Sequence, residues 1–211
     1  MIYGITGKIG SGKDLATYFI KDYFDITIDV DKIGKYFFEE KKFEIYKKIR
    51  VKNKEDLVKE VFKSKKCMEK LEKILHPYMK TFVKKICKRI EKFICNGQIY
   101  KRNILINCAL LHKLKFDKIC DKIIIIDSDK KIRLDRLIKN RNLNYEDALL
   151  RVEYHEKYHF LNEKNMNRFL KFRKDKKKNI LKNKKYIIIY NNSSKEELEK
   201  QVKEVIYGRI W

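Results

Sequence analysis

Proline and glycine are scarce in this sequence, with one proline and seven glycines among 211 residues. Linkers and turns depend heavily on these two residues, so we expect one domain over residues 1–211, without linkers or repeats. No apolar run approaches the roughly 18 to 20 residues of a membrane-spanning helix. The amino terminus also lacks a basic segment followed by a longer apolar one. The sequence therefore predicts a cytoplasmic protein with no membrane partner.

The cysteines lack a pairing pattern. Their number is odd, and no two of them have the C-x-x-C spacing of thiolate metal sites. We expect reduced cysteines that pack as small apolar side chains, with neither a disulfide framework nor a zinc–thiolate site. The five are Cys67, Cys87, Cys95, Cys108 and Cys120.

Acidic residues are outnumbered in this chain. It has 29 Asp and Glu against 53 Lys and Arg, for a formal net charge of +24. A chain this basic attracts phosphate. The lysines are spread along almost the whole chain, however, and do not form one stripe. We therefore expect no nucleic acid partner, although small polyanionic substrates would still be attracted.

Five short segments rich in β-branched residues predict buried parallel strands. Longer helical patterns alternate with them, which is typical of an α/β fold. We expect a five-stranded parallel sheet with helices on both faces. The predicted strands are 2–6, 25–30, 103–108, 122–127 and 186–190. The predicted helices are 13–23, 32–50, 55–64, 66–95, 129–140, 144–171 and 195–207.

Two segments depart from this alternation. The gap between the second and third strands far exceeds one crossover helix, so we expect a helical insertion at about 36–100. The lysine-rich stretch 171–185 is predicted to be flexible or solvated. The last helix has a clear start, because Ser193 and Ser194 precede two glutamates at capping-box spacing.

Residues 7–14 read GKIGSGKD and follow the first predicted strand. Up to Lys13 they match the phosphate-binding loop pattern G-x-x-x-x-G-K-[S/T]. Glycines let backbone N–H groups surround a phosphate at a helix N-terminus, and the lysine adds a cation for the β- and γ-phosphates. The strand before the motif and the helix after it are the context that this motif requires. The sequence therefore predicts a nucleotide site.

Asp14 stands where this pattern has a hydroxyl group. That hydroxyl normally coordinates the Mg²⁺ that bridges the β- and γ-phosphates. A carboxylate is also a hard oxygen ligand, and it is favourable at a helix N-terminus. We expect Asp14 to hold magnesium, with Lys8 offsetting its repulsion of the phosphates.

The second predicted strand ends in Asp29-Val30-Asp31. Carboxyl ends of parallel strands line the ligand crevice of an α/β sheet. Residues two apart on an extended chain point the same way, so we expect one or both acids to face the phosphates. Such an acid can orient or deprotonate an attacking hydroxyl. Alternatively, the pair is a solvated strand end that caps the next helix.

Several motifs together resemble the dephospho-CoA kinase family. They are GITGKIGSGK at the start, DVDKIGK at 29–35 and Leu75-His76-Pro77. Further similar segments follow in the same order: INCALL, IIIIDSDKKIRLDRL, NLNYEDALLRV and IIIYNNSSKEEL. The resemblance spans nearly the whole chain. It implies a phosphate-loop kinase that uses ATP and Mg²⁺ to phosphorylate the ribose 3′-hydroxyl of dephospho-CoA.

The resemblance also implies roles for particular residues. Asp31 is the expected catalytic base, with Asp29 as its support or as a metal contact. Lys13 and Arg141 are the other expected catalytic residues, and Asn191 is expected near the adenine. The expected nucleotide-binding set is Gly10, Ser11, Gly12, Lys13, Asp14, Leu15 and Asn191, with Asp14 as metal ligand. The expected substrate-binding set is Asp29, His76, Pro77, Arg136 and Arg151, of which Arg136 and Arg151 share with Arg141 a lid at about 136–160.

The chain departs from the family pattern at four places, one of which is a segment between residues 36 and 57 that is shorter than usual. Asp14 replaces Ser or Thr. The family's Pro-Leu-Leu-x-Glu after the third strand is Ala-Leu-Leu-His-Lys at 109–113. The Arg-Asp-Gly of the lid becomes Asn-Arg-Asn at 140–142, so the lid arginine is shifted by one residue. The phosphate loop and the base remain.

His155-Glu156-Lys157-Tyr158-His159 matches H-E-x-x-H, which on a helix is typical of zinc hydrolases. No downstream G-x-x-H supplies a third ligand, so we expect the histidines to pack or to contact a ligand.

Two other functions are kept as alternatives. One is a kinase for another small substrate, such as a nucleoside, a nucleotide or a shikimate-like compound. The other is a nucleotide-binding module that has lost catalysis. We expect a monomer or a small homo-oligomer.

Overall fold

The computed structural model describes residues 1–90, 92–95, 98–158, 173–175, 180–182 and 185–207. The chain divides into two compact units. A sheet unit comprises Met1–Ile28 and Glu91–Trp211, and a helical unit comprises Asp29–Ile90. No helix among the described residues is long and apolar enough to cross a membrane.

The sheet unit is built on five strands that match the predicted segments, so the predicted α/β fold is confirmed. Their spatial order is β2-β5-β1-β6-β9, with β1 parallel to both β5 and β6, and β6 parallel to β9. Isoleucine dominates the buried positions, because β-branched side chains pack well on a pleated surface covered on both faces. The strands are β1 Ile2–Gly7, β2 Ile26–Asp29, β5 Ile104–Asn107, β6 Lys122–Asp127 and β9 Tyr186–Tyr190.

Four further strands lie where the sequence predicts none. Antiparallel strands β7 Arg173–Asp175 and β8 Ile180–Lys182 extend the sheet beyond β9, inside the segment predicted to be flexible or solvated. Edge strands tolerate lysine, because charge there prevents pairing with other chains. The other two, β3 Lys92–Cys95 and β4 Gln98–Lys101, form an antiparallel pair. The first lies where the end of the helix 66–95 was predicted, and the second lies between that helix and the next predicted strand.

Among the described residues, the sheet unit has four α-helices: α1 Lys13–Ile20, α5 Lys130–Arg141, α6 Tyr145–Tyr158 and α7 Lys195–Ile206. Apolar residues of α1 and α7 share one core cluster with β1, β6 and β9. The predicted start of α7 is confirmed, because Ser194 Oγ accepts a hydrogen bond from the Glu197 amide at 3.3 Å. The predicted continuation of α6 over 159–171 lies outside the described residues.

The helical unit consists of α2 Val30–Ile49, α3 Lys54–Lys63 and α4 Lys65–Ile90. Its own core is a cluster of aliphatic residues around Ile45, Ile49, Leu57 and Val61. Pro77 lies inside α4. Proline removes one hydrogen bond from a helix interior, and here the helix continues past it.

Candidate active site

The loop between β1 and α1 has the backbone that a phosphate cradle requires. Gly10 and Gly12 adopt positive φ angles of 76° and 92°. A Cβ atom at Gly10 would lie 2.8 Å from the backbone oxygen of Arg133. Gly12 caps α1 without any side-chain hydrogen bond to the first helical amides. The N-terminal amides of α1 are therefore available to an anion.

Lys13 is buried, and its Nζ is held by two neighbours. It donates to Asn107 Oδ1 at 2.5 Å and to Asp14 Oδ1 at 2.7 Å. Asn107 Nδ2 also donates to Asp14 Oδ1, at 3.2 Å. Asn107 was not predicted as a site residue. It comes from the carboxyl end of β5, which pairs with β1, and that position is the signal that sequence reasoning missed.

Asp14 is exposed at the first turn of α1 and remains ionised at neutral pH. Partial burial alone would raise the pKa of this carboxyl group. The hydrogen bond and the charge of Lys13, the Asn107 amide and the charge of Arg141 outweigh that effect, so the pKa lies below its ordinary value. An ionised carboxylate at this position has the chemistry of a magnesium ligand.

Asn191 and Arg136 join the phosphate loop to the end of the sheet. Asn191 is buried and follows β9, and its Nδ2 donates to the Ser11 backbone oxygen at 2.8 Å. Arg136 on α5 donates to the Asn191 backbone oxygen at 3.1 Å and to the Ser128 hydroxyl at 3.0 Å. Weaker contacts reach the backbone oxygens of Gly10 and Ser11. Both side chains predicted to bind ligands therefore also shape the loop.

Lys8 lies in a buried charged cluster behind the loop. Its Nζ is 3.4 Å from Glu156 Oε2 and 3.7 Å from Asp127 Oδ2. Arg133, which is 1% exposed, pairs with the other oxygen of Glu156 and donates to the Ser128 backbone oxygen at 2.9 Å. Lys8 was expected to offset charge at the phosphates. It instead offsets two carboxylates of the protein, because a buried cation needs a paired anion.

Burial also changes the acidity of one member of this cluster. It raises the pKa of Asp127 above its ordinary value. The charge of Lys8, the Ser128 amide and the charge of Arg133 act in the opposite direction without cancelling the effect. The cluster therefore contains a carboxyl group whose ionised form is disfavoured by folding.

The H-E-x-x-H match contributes to the same part of the loop. His155 Nδ1 accepts a hydrogen bond from the Ile9 amide at 3.4 Å, and Glu156 pairs with Lys8 and Arg133. His159 lies outside the described residues. Among residues with described positions, no group of three or more His, Cys, Asp or Glu side chains could hold a metal ion. The first two residues of the match thus connect α6 to the phosphate loop.

The remaining predicted residues of the sheet unit occupy different environments. Arg141 is exposed at the end of α5, and its positive charge lowers the pKa of Asp14. Arg151 is half-buried on α6. Leu15 packs against the core cluster of the sheet unit. Arg141 is thus the arginine of the predicted lid whose charge acts on the phosphate-loop carboxylate.

The predicted acid pair lies in the helical unit, with a geometry that differs from the prediction. The strand ends at Asp29, which is the N-cap of α2 and accepts a hydrogen bond from the Lys32 amide at 3.0 Å. Asp31 is in the first helical turn. Asp29 has an extended backbone whereas Asp31 is helical, so the premise that both acids lie on one extended chain is wrong. His76 and Pro77 lie within α4.

The loop fits a nucleoside triphosphate with a divalent cation. The Ser11 hydroxyl is buried and has no hydrogen-bond partner among the described residues. The loop glycines pack so closely on neighbouring atoms that a Cβ atom would collide with them, so their backbone can follow the tight path that a phosphate loop requires. Lys13 supplies positive charge for phosphate, and Asp14 supplies the oxygen chemistry that magnesium prefers.

Comparisons with known proteins identify the family of this chain. The family model described as dephospho-CoA kinase matches residues 1–158. The dephospho-CoA kinase of Borreliella burgdorferi is 35% identical, covering 100% of this chain and 95% of the relative. That of Fusobacterium nucleatum is 32% identical over 70% of this chain and 77% of the relative.

Solved structures support the fold. A protein from Thermus thermophilus has a TM-score of 0.66 at 19% identity, covering 98% of this chain and 96% of that chain. A dephospho-CoA kinase from Campylobacter jejuni has a TM-score of 0.51 at 19% identity, covering 98% and 95%. The family match over residues 1–158 and the relatives above 30% identity establish that this chain belongs to the dephospho-CoA kinase family.

Proposed function

We propose that this protein transfers the γ-phosphoryl group of ATP to the ribose 3′-hydroxyl of dephospho-CoA, which yields coenzyme A and ADP. The observation that carries the proposal is the phosphate loop, in which Lys13 is held between Asn107 and Asp14 at the start of α1. Membership of the dephospho-CoA kinase family supports the choice of acceptor.

The loop residues bind and orient the nucleotide. The amides at the start of α1 and the glycine-rich backbone donate to the β- and γ-phosphates, and Lys13 adds a positive charge. Ser11 and Leu15 complete the loop, and Asn191 fixes its position through the Ser11 oxygen. A Mg²⁺ held by Asp14 would neutralise charge between the β- and γ-phosphates.

Asp31 is the proposed general base. As the 3′-oxygen forms its bond to the γ-phosphorus, ADP leaves and the hydroxyl proton passes to the Asp31 carboxylate. This role rests on the resemblance of DVDKIGK to the family. Asp29 has a separate task, because its side chain caps the helix that carries Asp31.

Arginines on α5 and α6 are proposed to act on the phosphates in different ways. Arg141 is exposed and its charge already affects Asp14, so it is suited to stabilise the transferring phosphoryl group. Arg136 donates to loop and Asn191 oxygens, so it acts on the phosphates by holding the loop. Arg151, His76 and Pro77 are proposed contacts for the CoA substrate. We place the reaction in the cytoplasm.

A coupled assay of ADP formation tests the proposal. The acceptors are dephospho-CoA, nucleosides, nucleotides and shikimate, each with ATP and Mg²⁺. We expect stimulation by dephospho-CoA far above every other acceptor. Stimulation by another acceptor alone would favour a different small-molecule kinase. ATP binding without turnover on any acceptor would favour a binding module.

A further inference from the structure

Three polar side chains share one oxygen atom at the start of α1. Asp14 Oδ1 accepts from Lys13 Nζ at 2.7 Å and from Asn107 Nδ2 at 3.2 Å. Asn107 Oδ1 accepts from Lys13 Nζ at 2.5 Å, which closes the triangle. Asn107 is 3% exposed, whereas the Asp14 side chain is 66% exposed. Asp14 Oδ2 has no hydrogen bond to any described residue, so it is open to a ligand.

Asp14 and Asn107 can be compared with the two groups that bind magnesium in other phosphate-loop enzymes. In many phosphate-loop enzymes the residue after the loop lysine is Ser or Thr, and an aspartate elsewhere in the site completes the magnesium binding. Here the residue after the lysine carries the carboxylate. The neighbouring strand β5 contributes a neutral amide, paired in register with β1 at Ile5. At these two contacting positions the chain therefore has one carboxylate and one neutral amide, with the carboxylate directly after the loop lysine.

We propose that Asn107 is a positioning residue, which orients the Asp14 carboxylate so that it can bind the metal of a metal–nucleotide complex. We further propose that residues 14 and 107 depend on each other, so that one of them must be a carboxylate and the other a neutral amide. The Asn107 amide orients the Asp14 carboxylate with Nδ2 and the Lys13 ammonium with Oδ1. The proposal rests on the proposed function only in that the loop binds ATP with a divalent cation.

The charge balance explains why the two positions depend on each other. A second carboxylate at residue 107 would lie against Asp14, and like charges in contact disfavour both ionised forms. It would also hold Lys13 in two ion pairs, away from the phosphates. With no carboxylate at either position, Lys13 would lose its ion pair with residue 14, and a divalent cation would lose the anionic ligand proposed there. One carboxylate is needed, and its position is secondary.

An isosteric exchange of charge tests this dependence. The variants are Asp14→Asn, Asn107→Asp and the double variant with both changes, all of which keep the size of the side chains. Titration calorimetry measures the affinity for a non-hydrolysable ATP analogue in Mg²⁺, without any acceptor. Electron paramagnetic resonance measures Mn²⁺ bound together with the analogue. Asp135→Asn, which removes one exposed carboxylate on α5, is the matched control.

We expect each single variant to weaken metal-dependent analogue binding about tenfold or more, and the double variant to return to within about threefold of the native protein. Effects that multiply in the double variant would overturn the proposal. So would a native protein that binds no metal–nucleotide. If Asn107→Asp does not fold in thermal melts, the comparison of Asp14→Asn with the double variant decides.

The outcome is separable from that of the acceptor assay. Tight metal–nucleotide binding with restoration in the double variant supports the exchange even if dephospho-CoA is not phosphorylated. Conversely, phosphorylation of dephospho-CoA together with multiplying effects supports the proposed reaction and overturns the exchange. A merely structural role of Asn107 predicts loss in both variants that carry Asn107→Asp, and no rescue.

Discussion

The guanidinium group of Arg136 donates to both oxygens of Asn191, at 3.1 Å to the backbone oxygen and 3.3 Å to Oδ1. Asn191 in turn donates to the Ser11 backbone oxygen. One arginine on α5 and one asparagine after β9 thus fix the position of the phosphate loop through hydrogen bonds to its backbone. Guanidinium geometry suits this role, because several N–H groups point in fixed directions from one plane.

Substitution of Arg136 should therefore weaken nucleotide binding through the loop. We expect Arg136→Lys to lower the affinity for an ATP analogue about tenfold, because one ammonium group cannot reproduce the forked contacts. Calorimetry measures the affinity and thermal unfolding the stability, which should also fall. Arg141→Ala is the control, with a lower rate of phosphoryl transfer but unchanged stability. An unchanged affinity in Arg136→Lys would rule out the role of Arg136 in holding the loop.

Gly12 is expected to tolerate no side chain. Its φ of 92° is unfavourable for other residues by about 1–2 kcal/mol, and a Cβ atom would collide with Asn191 Nδ2. Gly12→Ala should abolish measurable ATP binding and lower the unfolding temperature. Gly34→Ala is the matched control, because Gly34 lies within helix α2 and its Cβ would meet only the flexible end of Met79. Equal losses of stability in the two variants would contradict this assignment.

The buried carboxyl group of Asp127 predicts a pH-dependent stability. Its pKa is raised by folding, so the folded state binds more protons than the unfolded state between the two pKa values. This contribution therefore favours folding at low pH and is lost as pH rises through the folded pKa. Relative to the native protein, Asp127→Asn should therefore gain stability as pH rises above the ordinary carboxyl range.

Urea unfolding at several pH values measures this difference. Asp135→Asn, which removes an exposed carboxylate, corrects for the change in net charge. A difference between Asp127→Asn and the native protein that falls with rising pH would show that the ionised form of Asp127 is favoured by folding.

Glu156 should contribute to stability through the two cations that it pairs. Glu156→Gln leaves Asp127 as the carboxylate paired with Lys8 among the described residues, and it removes the carboxylate that pairs with Arg133. We expect this change to cost about 1–3 kcal/mol in unfolding free energy. Glu153→Gln on the same helix breaks only an exposed pair with Lys130 and should cost about 1 kcal/mol or less. Chemical denaturation compares the two. Equal costs, or stoichiometric zinc in the purified protein, would contradict a structural role for Glu156.

The sequence was sufficient for the parts of the fold that depend on local patterns. Buried β-branched runs such as 122–127 predict strands, and the glycines of GKIGSGKD predict the loop backbone. The contact of Lys13 with Asn107 was not predictable, because it depends on β5 lying beside β1, and a single asparagine at a strand end forms no motif. The partners of Lys8 come from β6 and α6, so its local sequence favoured a phosphate role. Asp31 was predicted at a strand end but lies in a helix, because α2 begins at Val30, two residues before the predicted start at residue 32.

The central claim is tested most directly by the product formed from dephospho-CoA. The purified protein is incubated with ATP, Mg²⁺ and dephospho-CoA, and the acceptor is analysed by mass spectrometry and ³¹P NMR, beside Asp31→Asn. We predict a new 3′-phosphate on the acceptor with one ADP per product, and a rate lowered about 10²- to 10⁴-fold in Asp31→Asn. An unmodified acceptor with the native protein, or phosphate at another position, would contradict the account.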